Sequence, residues 1–386
     1  MDTEKINSYK KLEETIANQG NRPIFFVGSG LSIRYLDGPN WSRLLKELIK
    51  ITSLSKTFEY FLQKYNENYE DIASELVDIF FEKAWGDVKK YDEEFYSVKY
   101  NKSVFLKLEI SKIFKKLLED LNLDENSSLI NELKLFSKTN PSAIITTNYD
   151  EFLEKKIFKT FKTIVGEKII SERTKGRNGK ILKIHGCVSK PETIVISKED
   201  YENFILNQKY LSAKLLTYFI EYPLIIMGYS LSDRNILGIF ETISDIKIFG
   251  NSTKKEINNI WFINYSRNNL YEIDILQEKE ILLSNNKSIK INYINVRTYT
   301  KLFESIVKTN KYPYSLTAIA EEFGFSHWKQ IEKYLKCVER KENIKIEKNT
   351  EYCILYKSKK DTVKRYSEKF VNKLKDIKRN YAQQCI

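Results

Sequence analysis

Residues 23–32 read Pro-Ile-Phe-Phe-Val-Gly-Ser-Gly-Leu-Ser, an apolar run that breaks into a glycine turn. A short run of consecutive apolar residues is typical of a strand buried on both faces, as in a parallel sheet. Glycines after such a strand let the backbone approach a phosphate, and the N-terminus of the next helix favours an anion. A tight turn without a ligand explains the same residues.

Further apolar runs predict a series of strands. With the first one at 23–27, they are expected at Ala143–Thr147, Ile181–His185, Thr193–Ser197, Leu224–Gly228, Ile260–Asn264 and Ile289–Val296. Helical spacing lies between most of them, at residues 150–161, 198–206, 208–221, 233–247, 270–284 and 299–309. Strands that alternate with helices predict an α/β fold with a doubly wound parallel sheet.

The remaining segments are predicted to flank this sheet. Residues 4–19 have the pattern of an amphipathic helix, and so do residues 41–50. From about 54 to 140 the chain is rich in Tyr, Phe, Leu and Lys and poor in glycine, which predicts a helical insertion. We expect one domain over residues 1–310 and a small α+β module over residues 311–386.

Composition excludes several classes of protein. The 386 residues are 42% hydrophobic, which suffices for a sizeable core. No apolar run approaches the ~20 residues that cross a bilayer, and the charged N-terminus has no secretory core. These features predict a cytoplasmic protein without a membrane segment. The four cysteines form no CxxC pair, so we expect neither a disulfide framework nor zinc.

The positive charge is concentrated in the C-terminal module. The chain has a net charge of +12, and residues 311–386 hold 18 Lys and Arg against 10 Asp and Glu. Residues 315–336 follow a helix–turn–helix pattern, with a hairpin predicted over 345–358 and a basic helix over 362–380. This arrangement is typical of modules that bind nucleic acid. A module that packs on the core or on a partner subunit is the alternative.

Polar residues follow the strand that ends at Thr147. The run Thr146-Thr147-Asn148-Tyr149-Asp150 offers several hydrogen-bonding side chains at the edge where ligands bind open α/β sheets. Either Asn148 or Asp150 is also a suitable cap for the following helix. A cap needs only one such residue, so the run favours a binding role.

Two further strand ends have a similar character. His185, one of two histidines in the chain, ends an apolar strand beside Gly186. Histidine is suited to a general base near neutral pH, although a satisfied core histidine fits as well. The run 224–233 ends in Gly-Tyr-Ser-Leu-Ser-Asp, where Ser232 or Asp233 is a suitable cap for the following helix. Gly228 and Ser230, ahead of that cap, are candidates for backbone contacts to a ribose or phosphate.

In this order the motifs resemble the sirtuin-type NAD-binding fold. GSGLS at 28–32 is similar to the GAGxS phosphate loop of that family, and the run 147–150 is similar to its QNxD-like strand end. Thr147 stands where deacylating sirtuins carry glutamine. His185-Gly186 matches the family's HG pair, and the run 228–231 resembles its GxSL loop. The resemblance covers roughly residues 20–310.

Departures from the deacylase pattern point to one branch of that family. The two CxxC pairs of the deacylases' zinc module are absent, and Pro-Asn-Trp-Ser at 39–42 replaces their Pro-Asp-Phe-Arg. The PxW run, Tyr201 after Lys-Glu-Asp, and GYSLSD at 228–233 resemble bacterial defence sirtuins. Those proteins hydrolyse NAD during phage infection, often with a partner protein.

The resemblance implies roles for individual residues in cleaving NAD to nicotinamide and ADP-ribose. It implies that Asn148 orients water or the ribose hydroxyls, that His185 is the general base and that Asp150 supports the ribose and the Asn148 loop. The residues expected to bind other parts of NAD are Gly28, Ser29, Gly30 and Ser32 at the pyrophosphate, Gly228, Ser230 and Asp233 towards the adenosine, and Thr147 beside Asn148.

The resemblance also implies partners and leaves alternatives. We expect a homo-oligomer and a separately encoded sensor or ATPase partner of the HerA type, with NAD as substrate and no zinc. Nucleic acid is a possible ligand of the C-terminal module. The alternatives are an NAD-dependent protein deacylase or ADP-ribosyltransferase, and a non-enzymatic sensor of NAD or ADP-ribose that binds DNA.

Overall fold

The computed structural model describes most of the chain up to residue 309 and one hairpin beyond it. The described residues are 7–19, 21–122, 127–171, 179–231, 237–238, 240–241, 259–266, 277–283, 288–309, 345–348 and 353–356.

Eight strands form one sheet. They are β1 Ile24–Val27, β2 Ala143–Thr146, β3 Lys162–Val165, β4 Lys180–Lys183, β5 Leu224–Met227, β6 Ile260–Tyr265, β7 Gln277–Leu282 and β8 Ser288–Val296. Their spatial order is β3-β4-β2-β1-β5-β6-β8-β7, and all neighbours are parallel except β7 and β8. The order runs outwards from β1 in both directions, as in doubly wound sheets, so the predicted fold class is confirmed.

Helices cover both faces of this sheet and form an additional layer beside it. Those described are α1 Ser8–Gln19, α2 Ser29–Leu36, α3 Trp41–Thr52, α4 Phe58–Lys64, α5 Tyr69–Gly86, α6 Val104–Glu119, α7 Ser128–Lys138, α8 Lys168–Ser171, α9 Lys198–Glu221 and α10 Thr300–Thr309. Short 3-10 turns lie at Glu93–Tyr96 and Pro191–Thr193, and a π-helical turn lies at Leu153–Ile157.

The central strand β1 is buried on both faces. Phe25 and Val27 pack into a core shared with α1, α7 and α10, whereas Ile24 and Phe26 pack into a core shared with α9. Burying one large apolar side chain stabilises a fold by roughly 1.5–3 kcal/mol. The strand therefore holds the glycine turn that follows it in a fixed place at the edge of the sheet.

The predicted helical insertion divides between two cores. Helices α4, α5 and α6 pack with α3 into a third hydrophobic cluster, which also takes in residues that follow β4, among them Ile194 and Ile196. Helix α7 instead packs on the sheet through Leu133 and Phe136.

Two of the predicted elements around β4 are wrong. Residues 193–197 are not a strand, because the N–H groups of Ile196 and Ser197 donate to the Asp200 carboxylate at the start of α9 instead of to a neighbouring strand. The helix predicted at 150–161 is only the π-helical turn, and it is followed by the unpredicted strand β3. At 198–221 the structure has one continuous helix, α9, where two were predicted.

The helix predicted at 270–284 is also wrong over its described residues, which form β7. This strand lies at the edge of the sheet, antiparallel to β8, with Glu280 opposite Lys290. Charged side chains are common on edge strands because one side stays in solvent, and they obscured the strand pattern.

Of the C-terminal module predicted over residues 311–386, the structure describes only a hairpin. Strands β9 Lys345–Lys348 and β10 Cys353–Tyr356 pair in antiparallel fashion, which confirms the hairpin predicted there. The helices predicted at 315–336 and 362–380 lie outside the described residues. Of the helix predicted at 233–247, residues 237–238 and 240–241 are described and helical.

None of the helices in the described ranges has both the length and the hydropathy that crossing a bilayer requires.

Candidate functional site at the carboxyl edge of the sheet

The predicted site residues converge at one edge because their strands are parallel and in level register. Val27 pairs with Thr146 and with Met227, and Thr146 pairs with Lys183. The residues that follow these strands therefore meet at the carboxyl edge, where ligands bind open α/β sheets.

Three glycines pack backbone to backbone at this edge. A Cβ on Gly28 would lie 2.5 Å from the Gly228 carbonyl oxygen, and one on Gly30 would lie 2.7 Å from the Gly228 Cα. Gly228 itself has a φ of +78°, which side-chain-bearing residues rarely adopt. The tertiary packing of two loops thus requires these glycines, whether or not a phosphate binds there.

Most N–H groups of the glycine turn already have partners. Gly28 N–H donates to the Met227 carbonyl, Gly30 N–H to that of Gly228 and Leu31 N–H to that of Gly28. Ser29, the exposed first residue of α2, has no acceptor for its N–H among the described residues. The first turn of α2 therefore offers an anion one backbone donor together with the positive end of the helix dipole.

Asn148, Ser32 and Asp150 form a buried hydrogen-bonded chain. The Asn148 amide donates from Nδ2 to the Gly28 carbonyl and to Ser32 Oγ, both at 2.9 Å. Ser32 Oγ donates to Asp150 Oδ2 at 2.6 Å. Oδ1 of Asn148 accepts no hydrogen bond from the described residues, which leaves one acceptor for a ligand.

Asp150 lies where it can support the loop. Its Oδ1 accepts from Phe152 N–H at 3.0 Å, so it acts as the local cap that was the alternative interpretation, while its Oδ2 holds Ser32. Both oxygens are therefore occupied within the protein, and the side chain is only 4% exposed.

The Thr147 side chain contacts the loop that follows β5. Its Oγ1 lies 2.8 Å from the Tyr229 hydroxyl, which also donates to the Val27 carbonyl at 3.2 Å. This contact joins the ends of β2 and β5 across β1. Ser230 is exposed at the same edge, and Asp233 lies outside the described residues.

His185 is buried beside aromatic rings. Its imidazole packs edge-on against Phe204 and Tyr201 of α9, with ring centroids 4.8 and 5.6 Å away, and its Nε2 has no hydrogen-bond partner in the described part of the chain. Burial lowers the pKa of His185 to about 4, so the ring is neutral at physiological pH. In the tautomer whose proton is on Nδ1, the neutral ring has at Nε2 a lone pair without a partner among the described residues.

This burial predicts a pH-dependent stability. Between about pH 4 and pH 6.5 the unfolded chain binds a proton at this histidine and the folded chain does not, so lowering the pH favours unfolding. We expect His185 to account for about 2 kcal/mol of lost stability between pH 7.5 and pH 5. Urea unfolding of the wild type and of His185→Gln at both pH values measures it, and an equal loss in both proteins would refute it.

Gly186 explains why the histidine is followed by glycine. Its φ is +92°, and a Cβ there would lie 2.2 Å from the Thr193 carbonyl oxygen. The Val195 N–H donates to the His185 carbonyl at 3.0 Å, so residues 193–195 pass directly over this turn. The packing of residues 193–195 against this turn therefore requires glycine after His185.

Behind the site lies a cluster of charged groups. Ligand atoms of Glu151, Glu154 and Cys187 lie within 4.8 Å of one another. Lys183 Nζ contacts Glu154 at 2.9 Å, and Lys155 Nζ contacts Glu151 at 2.6 Å. Because lysines already balance the carboxylates, we interpret the cluster as an ion-pair network and not as a cation site.

The sequence assigned no individual role to two residues that support the site, Thr146 of the polar run and Lys183. Thr146 Oγ1 accepts from Asn148 N–H and donates to the Val27 carbonyl, which fixes the start of the loop. Lys183 donates to the Asp150 carbonyl from the end of β4. The available sequence signal for Lys183 was its position beside consecutive apolar residues in a predicted buried strand.

The comparisons with known proteins agree with this geometry. The family model of the SIR2-like domain matches residues 142–291, a segment that runs from β2 into β8. This segment is therefore similar to a SIR2-like domain. It holds Asn148, His185 and Gly228, while the glycine turn after β1 precedes it. The match confirms the sirtuin-like character that the motifs indicated.

Two relatives resemble the chain beyond this domain match. Over 243 residues the chain is 25% identical to the "Defense-associated sirtuin 2" of Bacillus subtilis, covering 61% of the chain and 20% of that protein. Over 202 residues it is 26% identical to the "NAD(+) hydrolase ThsA" of Acinetobacter baumannii (strain 532279), covering 50% of the chain and 41% of that protein. The chain thus spans less than half the length of either relative.

Proposed function

We propose that the SIR2-like domain hydrolyses NAD to nicotinamide and ADP-ribose. The observation that carries this proposal is the buried, unpartnered Nε2 of His185 at the strand end next to that of Asn148. The name of the Acinetobacter relative, an NAD(+) hydrolase, supports it independently.

The reaction separates the pyridinium group of NAD from the ribose, and this group leaves as neutral nicotinamide. The bond between the anomeric carbon and the pyridinium nitrogen breaks, its electron pair stays on nicotinamide, and positive charge develops on the ribose. Water then attacks the anomeric carbon and loses a proton, so that the products are nicotinamide, ADP-ribose and a proton. The protein must orient the water and accept that proton.

A weakly basic histidine suffices for this step. Once the attacking water has bonded to the oxocarbenium-like carbon, its oxygen carries a positive charge. It is therefore a strong acid until it loses a proton. Neutral His185, whose pKa burial lowers to about 4, can therefore take the proton as the bond forms and pass it to solvent. In this proposal Oδ1 of Asn148 accepts a hydrogen bond from the same water and sets its direction of attack.

The remaining predicted residues take supporting positions. Ser29 N–H and the dipole of α2 would meet the pyrophosphate, because this donor of the turn has no acceptor among the described residues. Asp150 and Ser32 would hold the Asn148 loop. Thr147 and Gly228 would shape the floor of the cleft, with Ser230 and Asp233 on the adenosine side.

The proposal predicts a defined product pattern. Incubated with NAD alone, the active protein should release nicotinamide and ADP-ribose in equal amounts without any acylated peptide, as chromatography of the products would show. Release only in the presence of an acyl-lysine peptide would indicate a deacylase. Binding of NAD without consumption, under every condition in which the protein is active in cells, would indicate a sensor.

We further propose that this activity is an effector of anti-phage defence. The Bacillus relative carries defence in its name, and the defence-sirtuin motifs of the sequence point the same way. Depletion of NAD needs tight control, so we propose activation within a homo-oligomer or by a separately encoded partner such as a HerA-type ATPase. The basic module at 311–386 is the proposed contact with that partner or with nucleic acid.

A further inference from the structure

Lys183 is a buried cation beside the proposed active site. It is the last residue of β4 and only 1% exposed. Moving an ammonium group out of water costs several kcal/mol unless it is paired and hydrogen-bonded. The side chain meets this cost with two contacts: Nζ lies 2.9 Å from Glu154 Oε1, and it donates to the Asp150 carbonyl.

These contacts join the two strand ends that carry the proposed chemistry. His185 follows Lys183 by two residues, just after the end of β4, and Asp150 follows Asn148 by two residues after β2. The ammonium group therefore spans from the His185 strand to the Asn148 loop. Glu154 adds the π-helical turn to the same contact, so one charged group fixes three segments of backbone.

The environment favours the charged form of this lysine. Burial alone would lower the pKa of Lys183, but the nearby Glu154, Cys187 and Asp150 outweigh it and raise the pKa. The lysine therefore stays a fixed donor across the physiological range. It does not release a proton for the chemistry.

We propose that Lys183 is a positioning residue that, through the Asp150 carbonyl, sets the Asn148 amide relative to the His185 imidazole. This inference rests on the proposed function, because it assigns the two side chains to one reaction. A misplacement by about 1 Å of groups that act together can cost about 10²-fold in rate. The ion pair thus contributes to catalysis without touching the substrate.

The test uses a charge-balanced variant. Lys183→Met alone would leave the Glu154 carboxylate buried without its cation, so the informative protein is the double variant Lys183→Met/Glu154→Gln. We expect its kcat for NAD to fall by about 10–100-fold while KM changes by less than about threefold. Lys180→Met is the matched control, since Lys180 is also buried on β4 but lies at the opposite end of the strand. Its kcat should stay near that of the wild type.

A second readout does not depend on turnover. The chain has two histidines, so selective ¹³C labelling of their imidazoles gives two NMR signals, and His327→Gln assigns the one from His185. We expect the His185 signal to shift in the double variant and to stay in place in Lys180→Met. Unchanged kcat with an unchanged His185 signal would overturn the proposal, and so would a rise in KM at constant kcat. If even the wild type leaves NAD intact, the proposed function fails, and the NMR signal still decides the role of Lys183.

Discussion

Replacing His185 by glutamine is expected to lower kcat for NAD hydrolysis by about 10²–10⁴-fold, the range that positioned general acid–base groups contribute. Glutamine keeps the side chain polar and of similar size but cannot accept the proton that the attacking water releases. Because the wild-type Nε2 has no protein partner, its loss removes no hydrogen bond of the described residues. Nicotinamide release at saturating NAD measures the effect.

The control for this substitution is the other histidine. His327→Gln should retain wild-type turnover, since the reaction assigned to the SIR2-like domain does not use that residue. A His185→Gln protein that unfolds at the wild-type urea concentration at pH 7.5 and still turns over at the wild-type rate would refute the assignment.

Asn148→Ala is expected to abolish NAD hydrolysis as well, but for two combined reasons. The variant loses the acceptor Oδ1, and it also loses the Nδ2 bonds to the Gly28 carbonyl and to Ser32. A lost buried hydrogen bond costs about 1–3 kcal/mol, so unfolding must be measured beside activity.

Gly228→Ala is expected to destabilise the fold by about 2–5 kcal/mol, since alanine at positive φ costs about 1–2 kcal/mol and overpacking costs about 1–3 more. The added methyl would lie 2.8 Å from the Gly28 carbonyl oxygen and 3.0 Å from Leu31 N. The displaced turn should also weaken NAD binding. Urea unfolding together with KM for NAD measures both effects.

Gly86→Ala is the matched control for the glycine substitution. Gly86 ends α5, its φ lies outside the strained positive region, and nothing lies within 4 Å of the position of its added Cβ. Alanine there should change stability by less than about 1 kcal/mol and tends to stabilise, because it restricts the unfolded chain. Equal stability losses at Gly228 and Gly86 would show that the packing of the two loops does not require glycine.

The central strands were predictable from the sequence because their burial requires a recognisable pattern of neighbouring residues. The strands β1, β2, β4, β5, β6 and β8 all coincide with predicted runs to within a few residues, since a strand covered on both faces needs consecutive apolar residues. The edge strands β3 and β7 were not found. Half of an edge strand stays in solvent, and Lys162 and Glu280 at such positions resemble a helix surface as much as a strand.

The opposite error at 193–197 has a related cause. Its β-branched residues satisfy a strand pattern, but a strand also needs a neighbour with free backbone groups. Here the Asp200 carboxylate takes the N–H groups, and the segment becomes the lead-in to α9. Local sequence does not determine which hydrogen-bond partner a backbone group has in the folded protein.

Local sequence was enough to identify the strand ends, since apolar runs that end in Gly28, Asn148, His185 and Gly228 locate one edge of a parallel sheet. The role of each residue at that edge followed from the folded structure alone. That structure assigned the glycines to mutual packing, Asp150 to the support of its loop, and Lys183 to the contact between two strands. The physical reason is that pattern depends on neighbours along the chain, whereas hydrogen bonds, burial and the pKa of His185 depend on residues brought together from distant positions.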